Sequence, residues 1–392
     1  MVDTISILPD SILCDILSFL PTKQAVATSV LSKRWKPLWL SVPTLDFDHV
    51  LLYNNEDSAR FVQSVYAVIL FRDQHQPIHK FRLNCANCDH LDVVNVNAWL
   101  HAAVQRRIHH LDISLSFDQP KSFISPVIFS CKTLVVLKLQ GVTLKPLDST
   151  VDLPLLKILH LQQVFFKNRG CLAELLTGCP VLEDFKADNY GSATQVTTSK
   201  EFQTLPKLVR AEISVIPAPS LMIVVNNVKF LHLHWFGGWI WKLYCHGRDK
   251  YLQFFSMFHN LTRLELSYLH CYNDGYQVVE FLMNCPKLQV LVINQPHYEK
   301  CACDGIEEVG DLQYPSSVPE CILLHLISCC LNDYRGNKGE FQFARYILQN
   351  GRLLERMTIC SDSTVNRQRK HKNFKQLSSC TRHSATCKLS LK

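Results

Sequence analysis

Cysteine and histidine are the residues of this sequence whose spacing could support metal chemistry. Cys85 and Cys88 form a C-x-x-C pair with His90 nearby, and Cys301 and Cys303 form a C-x-C pair. A structural zinc site needs four ligands, which usually come from two such pairs at a regular separation. These pairs lie more than 200 residues apart. We therefore predict buried structural cysteines, no metal site and no cofactor, with a zinc site as the alternative.

Catalytic motifs are missing from the sequence. It contains no G-x-S-x-G, no G-x-x-x-x-G-K-[ST], no H-E-x-x-H and no G-x-G-x-x-G. The neighbours Cys245 and His246 are more typical of packing or of a surface than of a nucleophile with its base. We predict no catalytic residue, and an enzyme on an α/β scaffold is kept as an alternative.

Composition and charge restrict the class of protein. The 392 residues are 47% apolar and 19% charged, which allows a large core and is unlike a disordered chain. The net charge of +7 is mild for this length, and a nucleic-acid surface would need clustered basic residues. We predict no nucleic-acid partner.

The sequence shows neither a secretion signal nor a membrane span. Mixed polar and apolar residues follow Met1, without a cationic start or a cleavage site. The uncharged run at 213–228 is short and is interrupted by prolines and asparagines. The 17 cysteines are then expected to be free thiols. We predict an intracellular protein, in the nucleus or the cytoplasm, that does not contact a membrane.

The first 40 residues predict short helices with more apolar surface than they can bury by themselves. Pro9 suits a first helical turn, Pro21 ends that helix, and Thr22 can cap the next one. Such a unit is expected to insert into the groove of a partner. Its candidate contact residues are Leu8, Pro9, Ile12, Leu13, Ile16, Leu17, Leu20, Pro21, Val26, Val30, Leu31, Trp35, Leu38 and Trp39.

A short apolar pattern recurs along the middle of the chain. Nine segments such as IHKFRL, LVVLKL and LTRLEL have two alternating apolar residues that follow an earlier one, and they begin 20 to 33 residues apart. Alternation places the last two residues on one face of a strand, and stacked units share one core. This spacing is typical of leucine-rich repeats. A generic α/β domain with spaced strands is the alternative. The segments start at Ile78, Ile108, Leu134, Leu156, Leu182, Leu208, Val228, Leu261 and Leu288.

In the C-terminal part, the sequence predicts a turn and a strand, then a helix that ends at Asn350–Gly351, and then a further repeat-like strand at Leu354. Within it, Cys329, Cys330 and Asn332 weaken the prediction of a strand. The basic run from Asn366 to Lys375 is interpreted as a solvated loop, with a nuclear address or an acidic-target contact as the alternative.

Three segments carry a resemblance to a known family. The pattern LPDSIL…ILSFLPTK, followed by SVLSKRW and LWLSVPTLDFD, resembles an F-box. The C-terminal VPECILLHL…YRGNKGEFQFARYILQNGRLLERMTI resembles the FBD domain, which accompanies an F-box and leucine-rich repeats in a large plant family. The expected domains are an F-box at 1–48, a helical linker at 49–77, repeats at 78–295, a loop at 296–314 and an FBD at 315–392.

The resemblance implies both a fold and a function. The fold is expected to be α/β: a small helical F-box, a leucine-rich-repeat solenoid whose curved sheet is mainly parallel with helices and loops outside, and a C-terminal FBD cap. The function is expected to be that of a non-catalytic substrate receptor in a Skp–cullin–F-box ubiquitin ligase, whose F-box binds the Skp adaptor and thereby cullin. The repeats would bind an unknown target protein. The alternative is a repeat scaffold outside a functional ligase.

One aromatic segment could anchor the target. Large aromatic side chains on a loop are typical binding anchors, although they could also fold back over the repeat core. The candidates are Trp235, Phe236, Trp239, Trp241 and Tyr244.

Overall fold

The structure is a computed structural model. It describes residues 5, 7–49, 55–73, 76–85, 91–115, 123–144, 151–166, 171–188, 204–214, 219–235, 257–268, 275–294 and 314–392. The chain divides into two compact units, Met1–Glu201 and Phe202–Lys392. The boundary between them falls inside the predicted repeat region.

The first unit opens with helices and continues as a parallel sheet. The N-terminal helical module consists of α1 (Asp10–Leu17), α2 (Thr22–Ala27) and 3-10 turns at Thr28–Val30 and Leu38–Ser41. The helices that follow are α3 (Asn55–Phe71), α4 (Val93–Gln105), a 3-10 helix (Pro126–Ser130) and α5 (Cys171–Thr177). The sheet strands, in spatial order, are β1 (Thr44–His49), β2 (Lys80–Cys85), β3 (His110–Leu115), β5 (Val136–Gln140), β7 (Ile158–Gln162) and β9 (Asp184–Asp188).

The second unit continues the same plan with parallel strands. Its strands, in spatial order, are β10 (Arg210–Ile213), β11 (Phe230–Trp235), β12 (Arg263–Tyr268), β13 (Val290–Asn294), β14 (Ser328–Tyr334), β15 (Arg356–Ser361) and β16 (Lys388–Leu391). Its helices are α6 (Pro219–Val224), α7 (Gly275–Leu282), α8 (Glu320–Leu324), α9 (Lys338–Asn350) and α10 (Arg367–Ser378). The predicted mixed α/β fold with a mainly parallel sheet is confirmed.

All nine predicted repeat segments form strands. Each strand begins two residues after the first apolar residue, so the segment at Leu156 gives β7 from Ile158. In β7 the two alternating apolar residues, Leu159 and Leu161, are buried, whereas the other residues of the strand are only partly buried. The first apolar residue is also buried, because it lies in the turn before the strand and packs beneath the sheet. The periodicity therefore identified both the strands and their core face.

A recurring pattern of backbone hydrogen bonds joins neighbouring repeats. Leu156 donates its amide to the Leu153 carbonyl at 3.2 Å, which closes a turn. The amides of Lys157 and Ile158 then both donate to the Val135 carbonyl of the preceding repeat, at 2.9 and 3.2 Å. Equivalent forked bonds start β3, β5 and β9 in the first unit, and β11 to β15 in the second. The forks set the parallel register, since each strand starts at a fixed point on its neighbour.

A second, small sheet forms in the first unit from two-residue strands that follow β3, β5 and β7 in the chain. Its parallel strands are β4 (Phe123–Ile124), β6 (Thr143–Leu144) and β8 (Phe165–Phe166). Gly141 and Gln163, at equivalent places after β5 and β7, have φ of 68° and 49°. A Cβ on Gly141 would collide with the Leu115 carbonyl oxygen, so this position requires glycine. The sequence patterns did not predict this sheet.

Two repeats end their helices with the same buried cysteine. Cys179 Sγ donates to the Leu175 carbonyl at 3.1 Å, and Cys285 Sγ donates to the Phe281 carbonyl at 3.6 Å. Burial raises the pKa of Cys179 to about 12 and also raises that of Cys285. Both thiols are therefore protonated packing groups. Cys85, from the C-x-x-C pair, is likewise buried in β2, whereas Cys88, His90, Cys245, His246, Cys301 and Cys303 lie outside the described residues.

One C-terminal prediction is wrong. The basic run forms the helix α10, not a loop, because the Asn366 side chain caps it by accepting from the Arg369 amide at 2.8 Å. The predicted strand through Cys329 and Cys330 is confirmed as β14, where Cys329 is a buried, small apolar residue and the register shifts between Leu331 and Tyr334. The short helix α8 before it was not predicted. The helix before Asn350–Gly351 is confirmed as α9, which starts with a capping box between Asn337 and Glu340.

A buried carboxylate joins the C-terminal elements. Asp362 is fully buried and accepts from Arg335 Nε at 2.8 Å and from the amide and hydroxyl of Thr364, each at 2.7 Å. Burial alone would raise the pKa of the Asp362 carboxyl, but these hydrogen bonds and the Arg335 charge lower it to about 2. The ionised form is therefore the one that the fold stabilises.

None of the helices among the described residues combines the length and the apolar character needed to cross a bilayer.

The turn before β7 predicts that two adjacent leucines contribute very differently to the stability of the fold. Leu156 is 0% exposed and Leu155 is 52% exposed. Leu156→Ala should lower the free energy of unfolding by about 2–5 kcal/mol, because it leaves a cavity beneath the sheet. Leu155→Ala should change it by less than about 0.5 kcal/mol. Urea unfolding of both full-length variants tests this, and equal effects would contradict the assigned turn.

The buried Asp362 predicts an acid-dependent contribution to stability. An unfolded Asp has a pKa of about 3.9, so the depressed folded pKa stabilises the protein above that value, and the contribution is lost as the pH falls toward 2. Asp362→Asn should cost about 2 kcal/mol at pH 6, and this cost should shrink between pH 5 and pH 2. Asp152→Asn, at the surface pair with Lys132, is the control and should cost under about 1 kcal/mol. A cost for Asp362→Asn that does not vary with pH would refute the assignment.

Candidate functional site

The N-terminal helical module has a small core of its own. One face of α1 packs on the 3-10 turn at Leu38–Ser41 and on α2. The buried members of this core are Leu13, Cys14, Leu17, Ala25, Trp35, Leu38 and Val42, with Leu8 and Leu20 packed against it. Burial, with Asp10 and Asp15 nearby, raises the pKa of the Cys14 thiol. This thiol is thus a neutral packing group that donates to the Leu38 carbonyl.

The opposite face of the same module presents apolar side chains to solvent. Ile12 and Ile16, four residues apart on α1, are 43% and 45% exposed. Phe19, just after the helix, is 87% exposed, and Val30 in the next turn is 86% exposed. Side chains at i and i+4 of a helix share a face, so α1 has two apolar stripes that point in different directions. Only the stripe of Leu13 and Leu17 enters the core.

An ion pair fixes the start of the module. Arg34 Nε and Nη2 donate to Asp10 Oδ1 at 2.9 and 2.6 Å, and Nη2 also donates to the Leu8 carbonyl. Arg34 thereby ties the first turn of α1 to the segment before Trp35. Asp10 also lies in the first turn of the helix, where a negative charge is favourable.

The module is joined to the sheet by hydrogen bonds as well as by the chain. The buried Thr22 hydroxyl accepts the Asp46 amide of β1 at 2.7 Å. Arg72, buried at the end of α3, donates to the Trp39 carbonyl at 3.2 Å. Burial, together with the charge of Arg106, lowers the Arg72 pKa to about 10, which leaves the guanidinium charged at neutral pH. The apolar face of α1 therefore has a fixed position on the first unit's sheet.

The sheet of the first unit has a polar face on the side opposite its buried apolar residues, which is called the outer face below. Arg82 contacts Asp46 and Asp48 at 3.0 and 3.1 Å, and His160 contacts Asp184 at 3.3 Å. The strands β2, β3, β5 and β7 line a groove of about 340 Å³ on this face. Its polar lining side chains are Arg82, Asn84, Asp112, Ser114, Lys138, Gln140, His160 and Gln162. Charged and amide groups of both signs suit a polar protein surface.

Comparison with known proteins links these features. The F-box domain model matches residues 5–46, and the FBD model matches residues 313–359. A model described as the LRR repeats of FBD-associated F-box protein At5g56370 matches residues 96–234. FBD-associated F-box protein At4g10400 of Arabidopsis thaliana is 32% identical over an alignment that covers 99% of each chain. The chain belongs to the plant F-box/leucine-rich-repeat/FBD family.

Other Arabidopsis thaliana members of this family show similar agreement. FBD-associated F-box protein At5g38590 is 30% identical, with 92% of this chain and 94% of that protein aligned. F-box/FBD/LRR-repeat protein At4g26340 is 29% identical, with 99% of each aligned. The F-box and repeat domains make this F-box protein a protein-interaction adaptor.

The structure divides the predicted contact residues of the F-box into two groups. Ile12, Ile16, Val30 and Leu31 are exposed, together with Pro9. Leu13, Leu17, Trp35 and Leu38 are buried in the module's own core. The remaining residues are partly buried: Leu8, Leu20, Pro21, Val26 and Trp39. In this fold, the buried group supports the exposed surface instead of forming it.

Sequence reasoning missed part of the exposed apolar surface. Ile5, Ile7 and Phe19 are 54%, 71% and 87% exposed, and none was among the predicted contacts. A usable signal was present, because Phe19 continues the Ile12–Ile16 stripe at helical spacing.

The predicted aromatic target anchors cannot be placed. Trp235 is the last residue of β11, and Phe236, Trp239, Trp241 and Tyr244 lie outside the described residues. They stay a prediction.

The hydrogen bond between the Asp46 amide of β1 and the Thr22 hydroxyl predicts local effects on stability and on amide exchange. Thr22→Val keeps the side-chain shape but removes the acceptor of the Asp46 amide, which should cost about 1–3 kcal/mol. Hydrogen exchange at the Asp46 amide should become faster. Thr28→Val is the control, because its hydroxyl only donates to the Ala25 carbonyl within the module. Unchanged exchange at Asp46 in Thr22→Val would contradict the link.

Proposed function

We propose that this F-box protein is the non-catalytic substrate receptor of a Skp–cullin–F-box ubiquitin ligase. Its F-box would bind the Skp-type adaptor, and through it cullin, while the repeats hold a target protein. The observation that carries this proposal is the exposed apolar face of α1 on a module that already has a complete core. An apolar helix face of this kind suits a groove on a partner protein.

The coupling of the F-box to the sheet supports the receptor role. Transfer of ubiquitin by other subunits depends on how the target is positioned relative to them, so the receptor contributes by holding both parts in place. The hydrogen bonds from Asp46 to Thr22 and from Arg72 to Trp39 fix the F-box on the first unit. A flexible tether between F-box and repeats would give less control over this position.

For the target, we propose the outer face of the repeat strands. The polar groove on β2 to β7 offers paired charges and amides, which favour specificity over bulk affinity. The aromatic residues from Trp235 to Tyr244 are retained as the second candidate contact. Eleven of the cysteines within the described ranges are free thiols, which supports a place in the nucleus or the cytoplasm.

Binding of the Skp adaptor tests the first half of the proposal. The double variant Ile12→Asp, Ile16→Asp should weaken binding at least about 100-fold, because the complex would bury unpaired carboxylates. Both positions are exposed in the free protein, so the thermal unfolding midpoint should change little. Val94→Asp, on the exposed face of α4, is the matched control and should bind normally. Unchanged binding by the double variant would refute this interface.

Co-purification with cullin separates the receptor from the scaffold alternative. A receptor should bring down cullin only when the Skp adaptor is present, and the double variant should bring down neither. Binding of the adaptor without cullin would favour the scaffold.

A further inference from the structure

Three possible metal ligands meet on the outer face of the second unit's sheet. Glu212 lies in β10, directly opposite His232 in β11, and His234 follows two residues later. Alternation along β11 buries Leu231 and Leu233 on the core side and turns both histidines to the other face. The three side chains are between 15% and 29% exposed, so they are partly shielded from water.

The distances between their donor atoms are close to those of a coordination shell. His234 Nε2 lies 3.5 Å from Glu212 Oε1, and His232 Nδ1 lies 3.9 Å from the same oxygen. One ligand atom from each residue lies within 4.8 Å of the others. Four ligands around zinc, at about 2.0–2.2 Å, are about 3.3–3.5 Å apart. Shifts of about 1 Å would therefore bring all three onto one ion.

A neighbouring hydroxyl orients one of the histidines. His232 Nε2 lies 2.9 Å from Ser267 Oγ, and Ser267 in turn accepts from Asn294 Nδ2 at 3.4 Å. When Nε2 donates to this hydroxyl, Nδ1 carries the lone pair and points toward Glu212. Metal-bound histidines commonly use their second nitrogen in this way, to donate to an oxygen behind them.

The other histidine has an unsatisfied nitrogen. His234 Nε2 is shielded from solvent and, within the described part of the chain, has no hydrogen-bond partner. Its 3.5 Å contact with Glu212 is too long for a good hydrogen bond. In the first unit, His160 and Asp184 form a pair at 3.3 Å, and among the described residues no third possible metal ligand joins them. In the second unit, one oxygen of Glu212 faces a ring nitrogen of each of two histidines, whereas an ion pair needs only one.

We propose that Glu212, His232 and His234 form a binding site for Zn²⁺. Two imidazoles and one carboxylate suit zinc better than calcium or magnesium, which prefer all-oxygen sites. Three protein ligands leave a fourth position for water or for a donor atom of a bound protein. The proposal does not depend on the ligase function. Sequence spacing alone did not indicate it, because Glu212 lies 20 residues before His232 and only the strand register brings them together.

Zinc titration of the full-length protein tests the proposal. With a chromophoric chelator as competitor, the wild type should bind Zn²⁺ at this site, and Glu212→Gln or His234→Ala should weaken that binding at least about 100-fold. Ser267→Ala should weaken it about 10–100-fold by releasing His232. His160→Ala is the matched control and should bind as the wild type does. Circular dichroism verifies that each variant is folded.

X-ray absorption at the zinc edge distinguishes this site from cysteine sites. We expect nitrogen and oxygen ligands at about 2.0–2.1 Å from the zinc, and we expect this signal to be lost in His234→Ala. Sulfur ligands at about 2.3 Å would show that cysteines bind the ion and would overturn the proposal. It would equally be overturned if the wild type bound no zinc, or if His234→Ala and His160→Ala bound it alike.

Discussion

Forked hydrogen bonds at the starts of β2, β3, β5, β7, β9 and β11 to β15 set the register of the sheet. Two successive amides, such as those of Lys157 and Ile158, donate to one carbonyl of the preceding repeat. This bond fixes where such a strand starts on its neighbour, and the buried leucine, isoleucine or valine before it fixes which face enters the core. A slip of one residue would exchange the core face for the outer face along the whole strand.

The outer face of the sheet follows directly from that register. Because the apolar residues alternate inward, the polar residues between them line up across neighbouring strands. The pairs Arg82–Asp46 and His160–Asp184, and the cluster of Glu212, His232 and His234, all arise in this way. The F-box joins the same system through β1, where the Asp46 amide binds Thr22 while the Asp46 side chain binds Arg82. One strand therefore takes part in both the helical module and the polar face.

Local patterns were enough to predict the strands but not the surfaces. Alternation and the preceding apolar residue identified all nine repeat strands, since both signals are contained within six residues. The small sheet at Phe123, Thr143 and Phe165 was missed because two-residue strands have no period to detect. The helix of the basic run was missed because its signal was one capping residue, Asn366, ahead of a strongly charged segment. Burial within α1 could not be assigned because Ile12 and Leu13 are chemically alike, and only tertiary packing distinguishes them.

We propose that the exposed apolar face of α1 contacts the Skp adaptor, while the buried face supports the module. Photo-crosslinking tests this contact, with p-benzoylphenylalanine placed at Phe19 or, as a control, at Phe374, an exposed aromatic residue of α10. We expect a crosslink to the Skp adaptor from position 19 and none from position 374. Adaptor that binds without a crosslink from position 19, or that crosslinks from position 374, would contradict it.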